Sequence, residues 1–286
     1  MRARVLALSL GVSAAMGAVA SAHAAPAALN GCTIVPAPSN AVHTLCPGAD
    51  LRGADLAGAN LAYAVLPNAR MDRANLAGAN LNGSILSGAS LAHARLAGAR
   101  LHKAIIIEAD LSGADLRGAH LFGASMYESS LPGARLSGAY LNGAHLAEAD
   151  LRRADLRGAN VSRAQLYESR LTGADMHGAH AYLANFTGAA MERVDLSGAD
   201  LSGADLTKAR MPRANLSHAL LGGSFLNGAR LTRADLTGAH LFAADLHGTW
   251  LTGARLTGAE LTGANLRGVH MEGADLTGAT LTAAAR

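Results

Sequence analysis

The chain has few aromatic residues: Phe, Tyr and Trp make up only 3% of its 286 residues, and Trp occurs once. A large globular core normally contains more bulky and aromatic side chains than this. Leucine and alanine supply most of the apolar content, and glycine reaches 33 residues. Because a thin core that repeats along an axis can be filled with one residue type, the composition favours a repeat protein over an ordinary globular one.

An excess of charge of one sign is also lacking once the N-terminus is set aside. Arg2 and Arg4 precede an apolar stretch that ends at Ala22-His23-Ala24, the pattern of a secretory signal peptide over residues 1–24. Removing that segment leaves 22 basic residues against 21 acidic ones. A nearly neutral chain lacks the basic footprint of a nucleic-acid-binding protein, so we expect no nucleic-acid partner.

Two other interpretations of the N-terminus were weighed. An uncleaved membrane anchor is disfavoured because the apolar run is rich in Ala, Gly and Ser and short for a bilayer span. A lipoprotein is disfavoured because Asn30 fits the lipidation motif poorly, and lipidation of Cys32 would leave Cys46 alone. We therefore predict a periplasmic or secreted protein with no transmembrane anchor after cleavage.

Cysteine is scarce, with only Cys32 and Cys46 present. Two thiols with only His43 nearby do not complete a structural zinc site. Export would place them in an oxidising compartment, where disulfides persist. We predict a disulfide that closes a cap segment at residues 25–48, and closing a loop of roughly 15 residues contributes about 3 kcal/mol in the chain-entropy model.

A five-residue repeat covers most of the remaining chain. From position 51 to position 281 every fifth residue is a centre, the phase never slips over 47 units, and 37 of the centres are Leu. A small residue, nearly always Ala, stands two positions before each centre, which gives the consensus A-[D/N]-L-x-G. The ten other centres are Met71, Ile106, Met126, Val161, Met176, Ala181, Phe186, Met191, Met211 and Met271.

A period of five fits neither an amphipathic helix nor a long strand. A helix with this period would spread leucine around its whole surface. A chain that turns a corner once per repeat avoids this, because the centre and the small residue can point inward while the other three residues point outward. Coils of such a chain would stack through backbone hydrogen bonds.

Residues 54–58 (ADLAG) and 199–203 (ADLSG) are near-ideal copies of the repeat of the pentapeptide-repeat proteins, which this chain resembles over residues 49–283. The resemblance implies an all-β fold, a right-handed quadrilateral β-helix with four pentapeptides per coil, and hence about 12 coils over residues 49–286. It implies no single function.

The sequence itself also supports a 20-residue coil, in which residues 20 apart stack about 4.8 Å apart. The coil that begins at Leu171 combines Phe186 and Met176 with the undersized Ala181, as expected for a core layer of fixed volume. Glutamates recur every 20 residues on one face, at Glu108, Glu128, Glu148 and Glu168.

One face of this coil is rich in arginine and is most basic from residue 193 to residue 233. We predict that it binds an anionic partner, a polymer or a protein, because arginine pairs bidentately with anionic groups. The alternative is a solvated face, partly neutralised by an aspartate column on the next face. The candidate residues are Arg193, Arg210, Arg213, Arg230 and Arg233.

Two further columns were considered as sites. The glutamate ladder is interpreted as solvated carboxylates in preference to a calcium site. A third face carries aromatic residues and histidines, interpreted as either a recognition strip or an accident of drift. The chain lacks a nucleophile elbow and a phosphate-binding loop, so we predict no enzyme, no catalytic residues, no cofactor and no metal.

The preferred function is an exported structural or binding scaffold that presents a rigid surface to an unidentified envelope or extracellular partner. The alternative, implied by the family, is a DNA mimic that binds a type II topoisomerase. That role needs a strongly negative rod with access to the cytoplasm, so near-neutral charge and a signal peptide disfavour it. No cap follows Leu281. An uncapped coil offers unpaired backbone groups, so we predict that this end is frayed or forms a homodimer.

Overall fold

The computed structural model describes residues 27–29, 32–34 and 43–285. Strands β1 (Ala27–Leu29) and β2 (Cys32–Ile34) pair antiparallel. From residue 45 onward the chain makes one parallel bridge every five residues, each to the residue 20 positions further on. Four pentapeptides therefore complete one coil, which confirms the predicted four-sided β-helix of roughly twelve coils, about 55 Å long at the strand spacing.

Every corner of the coil has the same turn. In the first complete repeat the N–H of Ala54 donates to the carbonyl of Leu51 at 3.1 Å, and Gly53 between them has a φ of +66°. Every fifth residue from 48 to 283 has a φ between 53° and 70°, and most of them are glycine. Glycine adopts this left-handed conformation without strain, whereas other residues lose about 1–2 kcal/mol there.

Stacked coils are joined by backbone hydrogen bonds in both directions. The N–H of Leu51 donates to the carbonyl of Arg70 at 2.7 Å, and the N–H of Arg70 donates back to Ala49 at 2.9 Å. The turn contributes another bond, from Gly53 to Asp72 at 2.9 Å. Since the same three bonds recur along the chain, the outward side chains are held on a rigid backbone at a constant spacing.

The core is a stack of leucine and alanine along the axis, buried from one coil to the next. Phe186, Met176 and Ala181 are all fully buried in one coil, as predicted for a layer of fixed volume. Where Ser replaces Ala, its hydroxyl usually donates to a carbonyl three residues back, as Ser129 does to Met126 at 2.6 Å. These bonds satisfy hydroxyls that would otherwise be buried without a partner.

The two ends of the solenoid differ. Cys32 and Cys46 lie at disulfide-bonding distance with Cα atoms 4.5 Å apart, and both are buried at the N-terminal end. At the other end Met271, Leu276 and Leu281 are only partly buried against the core. Cys32 and Cys46 belong to the core cluster, whereas the apolar residues of the last described coil are only partly buried against it.

Parts of the predicted domain organisation remain predictions. The predicted signal peptide, residues 1–24, lies outside the described residues. The boundary between the cap and the solenoid, after residue 48, also stays a prediction. In the described part of the chain no helix has the length and apolar character needed to cross a membrane.

Candidate functional site: an arginine cluster on one face

The structure brings all five predicted arginines onto one face, in three consecutive coils. They lie in two columns, where a column is a series of residues 20 positions apart that stack on successive coils. All five side chains are exposed. The outward column joins Ala190, Arg210, Arg230, Trp250 and His270 through parallel bridges. The turn column contains Arg193, Arg213 and Arg233. We call these five arginines the arginine cluster.

The turn column carries its arginines in a strained backbone conformation. Arg193, Arg213 and Arg233 have φ values of 54°, 58° and 57°, where glycine is the unstrained choice. Most corners of this chain use glycine. Local backbone preference therefore does not favour arginine at these three corners, and other non-glycine residues such as Leu183 and Ala243 occupy equivalent corners.

Earlier coils of the same face neutralise their arginines internally. Asp50 pairs with Arg52 at 2.5 Å and with Arg70 at 3.8 Å. Asp150 repeats the arrangement with Arg152 at 2.5 Å and Arg170 at 3.9 Å. The side-chain hydrogen bond from Arg52 lowers the pKa of Asp50 to about 2, against a counteracting effect of desolvation.

The arginine cluster has no such partner. Within residues 27–29, 32–34 and 43–285, none of its five guanidinium groups lies within 4.0 Å of a carboxylate. The reason is visible in the outward column: Ala190 is bridged to Arg210, where Asp150 is bridged to Arg170. Arg73 and Arg153 also lie beyond 4.0 Å of any carboxylate in the described part of the chain, but neither has an arginine in the adjoining coils of the turn column.

The neighbouring face does not neutralise the cluster. It carries the predicted aspartate column, but arginines alternate with these acids and engage several of them. Arg117 pairs with Asp115 at 2.6 Å and Arg157 with Asp155 at 2.8 Å, while Arg255 lies 3.7 Å from Asp235. The predicted acidic column is therefore a mixed column, in which the aspartates with arginine counterions are Asp115, Asp155, Asp175 and Asp235. Its aspartates are Asp55, Asp115, Asp155, Asp175, Asp195, Asp235 and Asp275.

A shallow depression of about 500 Å³ runs beside the turn arginines. Arg213 and Arg233 line it together with a column of residues 20 apart, which begins at Glu192 and ends at Glu272. Thr252, within this column, donates a hydrogen bond to Glu272 at 3.1 Å. A backbone hydrogen bond and the Thr252 hydroxyl lower the pKa of Glu272. The full lining is Glu192, Pro212, Arg213, Thr232, Arg233, Thr252, Gly253 and Glu272.

The glutamate ladder lies on another face, as predicted, and its four side chains are exposed. Tyr127 donates to Glu148 at 2.9 Å, and the Glu128 and Glu148 carboxylates raise the pKa of Tyr127. In the described part of the chain no group of His, Cys, Asp and Glu is arranged to hold a metal ion.

The predicted aromatic column is partly a set of ring contacts. His120 stacks on Tyr140 with centroids 4.9 Å apart, and His102 contacts both His120 and Phe122. Burial, reinforced by His120 and Arg100, lowers the pKa of His102. Four rings of this column therefore contact one another, which leaves less of those four for a ligand. The column comprises Tyr63, His102, His120, Phe122, Tyr140, His180, Tyr182, His240 and Phe242.

Sequence reasoning missed Trp250, the single tryptophan of the chain. It follows Arg230 in the outward column, stacks on His270 with centroids 3.9 Å apart, and remains 46% exposed. Trp250 lies 20 residues after Arg230, so the 20-residue period alone could have placed it beside the arginine cluster. An exposed indole next to arginines makes the site amphipathic.

The family model for pentapeptide repeats matches the chain in eight copies between residues 49 and 282. The chain belongs to the pentapeptide-repeat family. Its fold is the right-handed quadrilateral β-helix of that family, as the sequence predicted. None of the curated proteins matches the chain.

Solved structures of other pentapeptide-repeat proteins are similar to it. HetL from the cyanobacterium Nostoc, involved in heterocyst differentiation regulation, is 30% identical, with 84% of this chain and 89% of HetL covered and a TM-score of 0.44. A protein of the Arabidopsis thaliana thylakoid lumen is 29% identical over 43% of this chain and 71% of its own, with a TM-score of 0.31. QnrB1, a plasmid-mediated fluoroquinolone resistance protein, is 20% identical over 62% and 84%, with a TM-score of 0.33.

Proposed function

We propose that this pentapeptide-repeat protein is an exported, non-enzymatic binding scaffold whose arginine cluster holds an anionic partner in the periplasm or outside the cell. One observation carries the proposal. Five exposed arginines lie together in three consecutive coils without an ion pair among the described residues, on a face whose earlier coils pair most of theirs.

The physical chemistry of the cluster supports this role. Guanidinium groups bind carboxylate, sulfate and phosphate with two parallel hydrogen bonds, and they stay charged at every physiological pH. The coil backbone is fixed by inter-coil hydrogen bonds, so a ligand orders side chains and leaves the main chain unchanged. Binding of this kind weakens as added salt screens the charges.

Export is supported by the pattern of residues 1–24 and by the cysteine pair. Disulfides persist in secreted and periplasmic proteins and are rare in the cytosol. Cys32 and Cys46 lie at bonding distance and have no competing thiol in the chain. Both features favour a protein that works beyond the inner membrane.

Retention on immobilised heparin tests the cluster. Replacing Arg193, Arg213 and Arg233 with Ser should abolish salt-sensitive retention, because it removes the whole turn column. The matched control replaces three isolated arginines at the same turn position with Ser, which changes the net charge equally. It should lose only a small part of the retention. Equal losses in both variants, or none in either, would contradict the proposal. The control residues are Arg73, Arg153 and Arg163.

The rival function, a DNA mimic that binds a type II topoisomerase, predicts a different outcome. Such a mimic presents negative charge, whereas the uncompensated cluster on this face is positive. Addition of the purified protein to a DNA supercoiling assay should leave the reaction unaffected. Inhibition would favour the rival and remove the basis for an envelope partner.

We also propose that two copies pair through the last described coil. Met271, Leu276 and Leu281 are partly exposed there, and no inter-coil hydrogen bond from their amides is formed within the described residues. Pairing with a second coil would cover the apolar residues and satisfy those amides. Sedimentation should show a dimer, and a strict monomer at high concentration would contradict this arrangement.

A further inference from the structure

The arginine cluster borders a trough that runs parallel to the solenoid axis. One wall is formed by Arg213 and Arg233 of the turn column, and the floor is the column between Glu192 and Glu272. The floor residues between these two acids are Pro212, Thr232 and Thr252. The outward column, with Arg210, Arg230 and Trp250, runs beside the floor, two residues before it in each coil, and does not belong to the lining.

The trough has a defined period and a defined length. Its columns repeat once per coil, and coils are separated by the strand spacing of about 4.8 Å. Glu192 and Glu272 are four coils apart, so about 19 Å separates them along the axis. Both acids repel anionic groups, which confines an anionic ligand to the three coils between them, where Arg213 and Arg233 line the trough.

We infer that the ligand of this trough is a linear anionic polysaccharide, with one carboxylate or sulfate per sugar, lying along the solenoid axis. The inference rests on the proposed function, because it names the chemical class of the anionic partner. It follows from the match between the repeat of the arginines and the repeat of such a polymer.

Register favours a sugar polymer over a nucleic acid. Coils of the solenoid are about 4.8 Å apart. An extended chain of pyranose rings advances by one ring length per sugar, which is close to this spacing, so successive anionic groups meet successive arginines. The phosphates of duplex DNA advance about 3.4 Å per strand along the axis and lose register with the coils within a few steps. A straight rod cannot correct this mismatch, because its backbone spacing is set by hydrogen bonds.

The other groups in the trough suit a sugar. Hydroxyls of Thr232 and Thr252 can exchange hydrogen bonds with sugar hydroxyls, and the end carboxylates can accept hydrogen bonds from a sugar but not from a fully ionised phosphate chain. Trp250, half exposed beside the floor, offers apolar surface for the C–H groups of a ring. A purely electrostatic phosphate site would gain little from these groups.

The test is calorimetric titration of the full-length mature protein with uronate oligosaccharides of two, four and six sugars. Inorganic polyphosphate and a DNA duplex of equal charge are titrated in the same low-salt buffer. Affinity should rise at least about ten-fold from two to four sugars and then level off, because the trough holds about three anionic groups. At equal charge, polyphosphate and DNA should bind at least about ten-fold more weakly.

A second pair of variants separates sugar recognition from charge. Thr232→Val with Thr252→Val should lower uronate affinity about five-fold and leave polyphosphate affinity unchanged. Thr172→Val is the matched control, since Thr172 lies in the same column beyond Glu192 and outside the trough lining. It should change neither affinity.

The possible failures are distinguishable. If polyphosphate or DNA binds as tightly as the uronates, the cluster recognises charge alone, and the polysaccharide inference is wrong while the proposed function stands. If none of these polyanions binds, both are wrong. Equal effects of the trough and control threonine variants would also overturn the inference.

Discussion

Two sets of side chains on one face share a backbone register and differ in electrostatic outcome. The first set is Asp150, Arg152 and Arg170, and the second is Ala190, Arg193, Arg210 and Arg213. In the first set Asp150 holds Arg152 and Arg170 in ion pairs. In the second, Ala190 stands at the equivalent outward position, and the arginines that follow are unpaired within the described residues. The outward side chain therefore decides whether the outward arginine of the next coil is paired, as Arg170 is and Arg210, in the described part of the chain, is not. The turn arginines Arg153 and Arg193 both form no ion pair within the described residues.

The largest expected effect comes from converting the turn column to glycine. Arg193→Gly, Arg213→Gly and Arg233→Gly together should abolish heparin retention and raise the free energy of unfolding by about 1 kcal/mol per site, because each relieves a left-handed residue. Chemical denaturation and chromatography measure the two effects. The same change at Arg73, Arg153 and Arg163 should stabilise equally and retain most binding. A destabilised cluster variant would show that the arginines support the fold.

Exchanging the outward residue at position 190 or 150 should interconvert the charge pairing of the two sets. Ala190→Asp places a carboxylate beside Arg210, as Asp150 lies beside Arg170, and should weaken polyanion binding about five-fold. The salt dependence of the affinity should also become shallower, because fewer unpaired cations remain. Asp150→Ala is the reverse change and should strengthen retention by freeing Arg152 and Arg170. Unchanged affinity in both variants would mean that ion pairing does not control the face.

A smaller effect concerns stability against pH. Burial raises the pKa of Asp150, but hydrogen bonds from Arg152 outweigh it and leave the pKa below its ordinary value. A carboxyl whose pKa is lowered on folding stabilises the protein above its unfolded pKa, and this contribution is lost as pH falls through the folded value. Arg152→Ser should therefore reduce the loss of stability below about pH 4, by at most about 1 kcal/mol. Denaturation at pH 7 and pH 3 measures it, and an identical decline in wild type would contradict the pairing.

The smallest effect is local to the first paired coil. The Asp50 carboxyl should titrate at about 2 in the folded protein, because Arg52 bonds to it. Arg52→Ser should return the pKa towards its ordinary value, as followed by carbon-13 NMR of the carboxyl. An ordinary pKa in the unmodified protein would show that this stretch is less neutralised than its geometry indicates.

Much of the fold was predictable because the repeat is strict. Phase alone assigned Leu51 and its successors to the core, and a difference of 20 in residue number assigned Arg193, Arg213 and Arg233 to one column. The same arithmetic placed Trp250 beside Arg230, although its role was overlooked. These predictions succeed because a solenoid with fixed inter-coil hydrogen bonds maps sequence separation directly onto distance.

The ion pairs were not predictable in this way. Arg52 and Arg213 are both assigned to the basic face by residue number. Only the folded chain shows that Arg52 is ion-paired and that Arg213 is not, within the described residues. Arg52 reaches Asp50 two residues away, whereas Arg213 lines the depression with Arg233. Likewise the sequence predicted an acidic aspartate column, but in the structure Arg117 and Arg157 form ion pairs with its aspartates.

The amino-acid sequence by itself determined the coil, its core and the face on which each side chain lies, because a strict five-residue period with a 20-residue pattern favours a four-sided stack that buries the centre residues. Only the tertiary structure decided which charges are compensated and where a trough remains open. Ion pairing depends on side-chain reach and direction over a few ångströms, and a trough depends on side chains from several coils at once. Neither quantity is encoded in a single repeat.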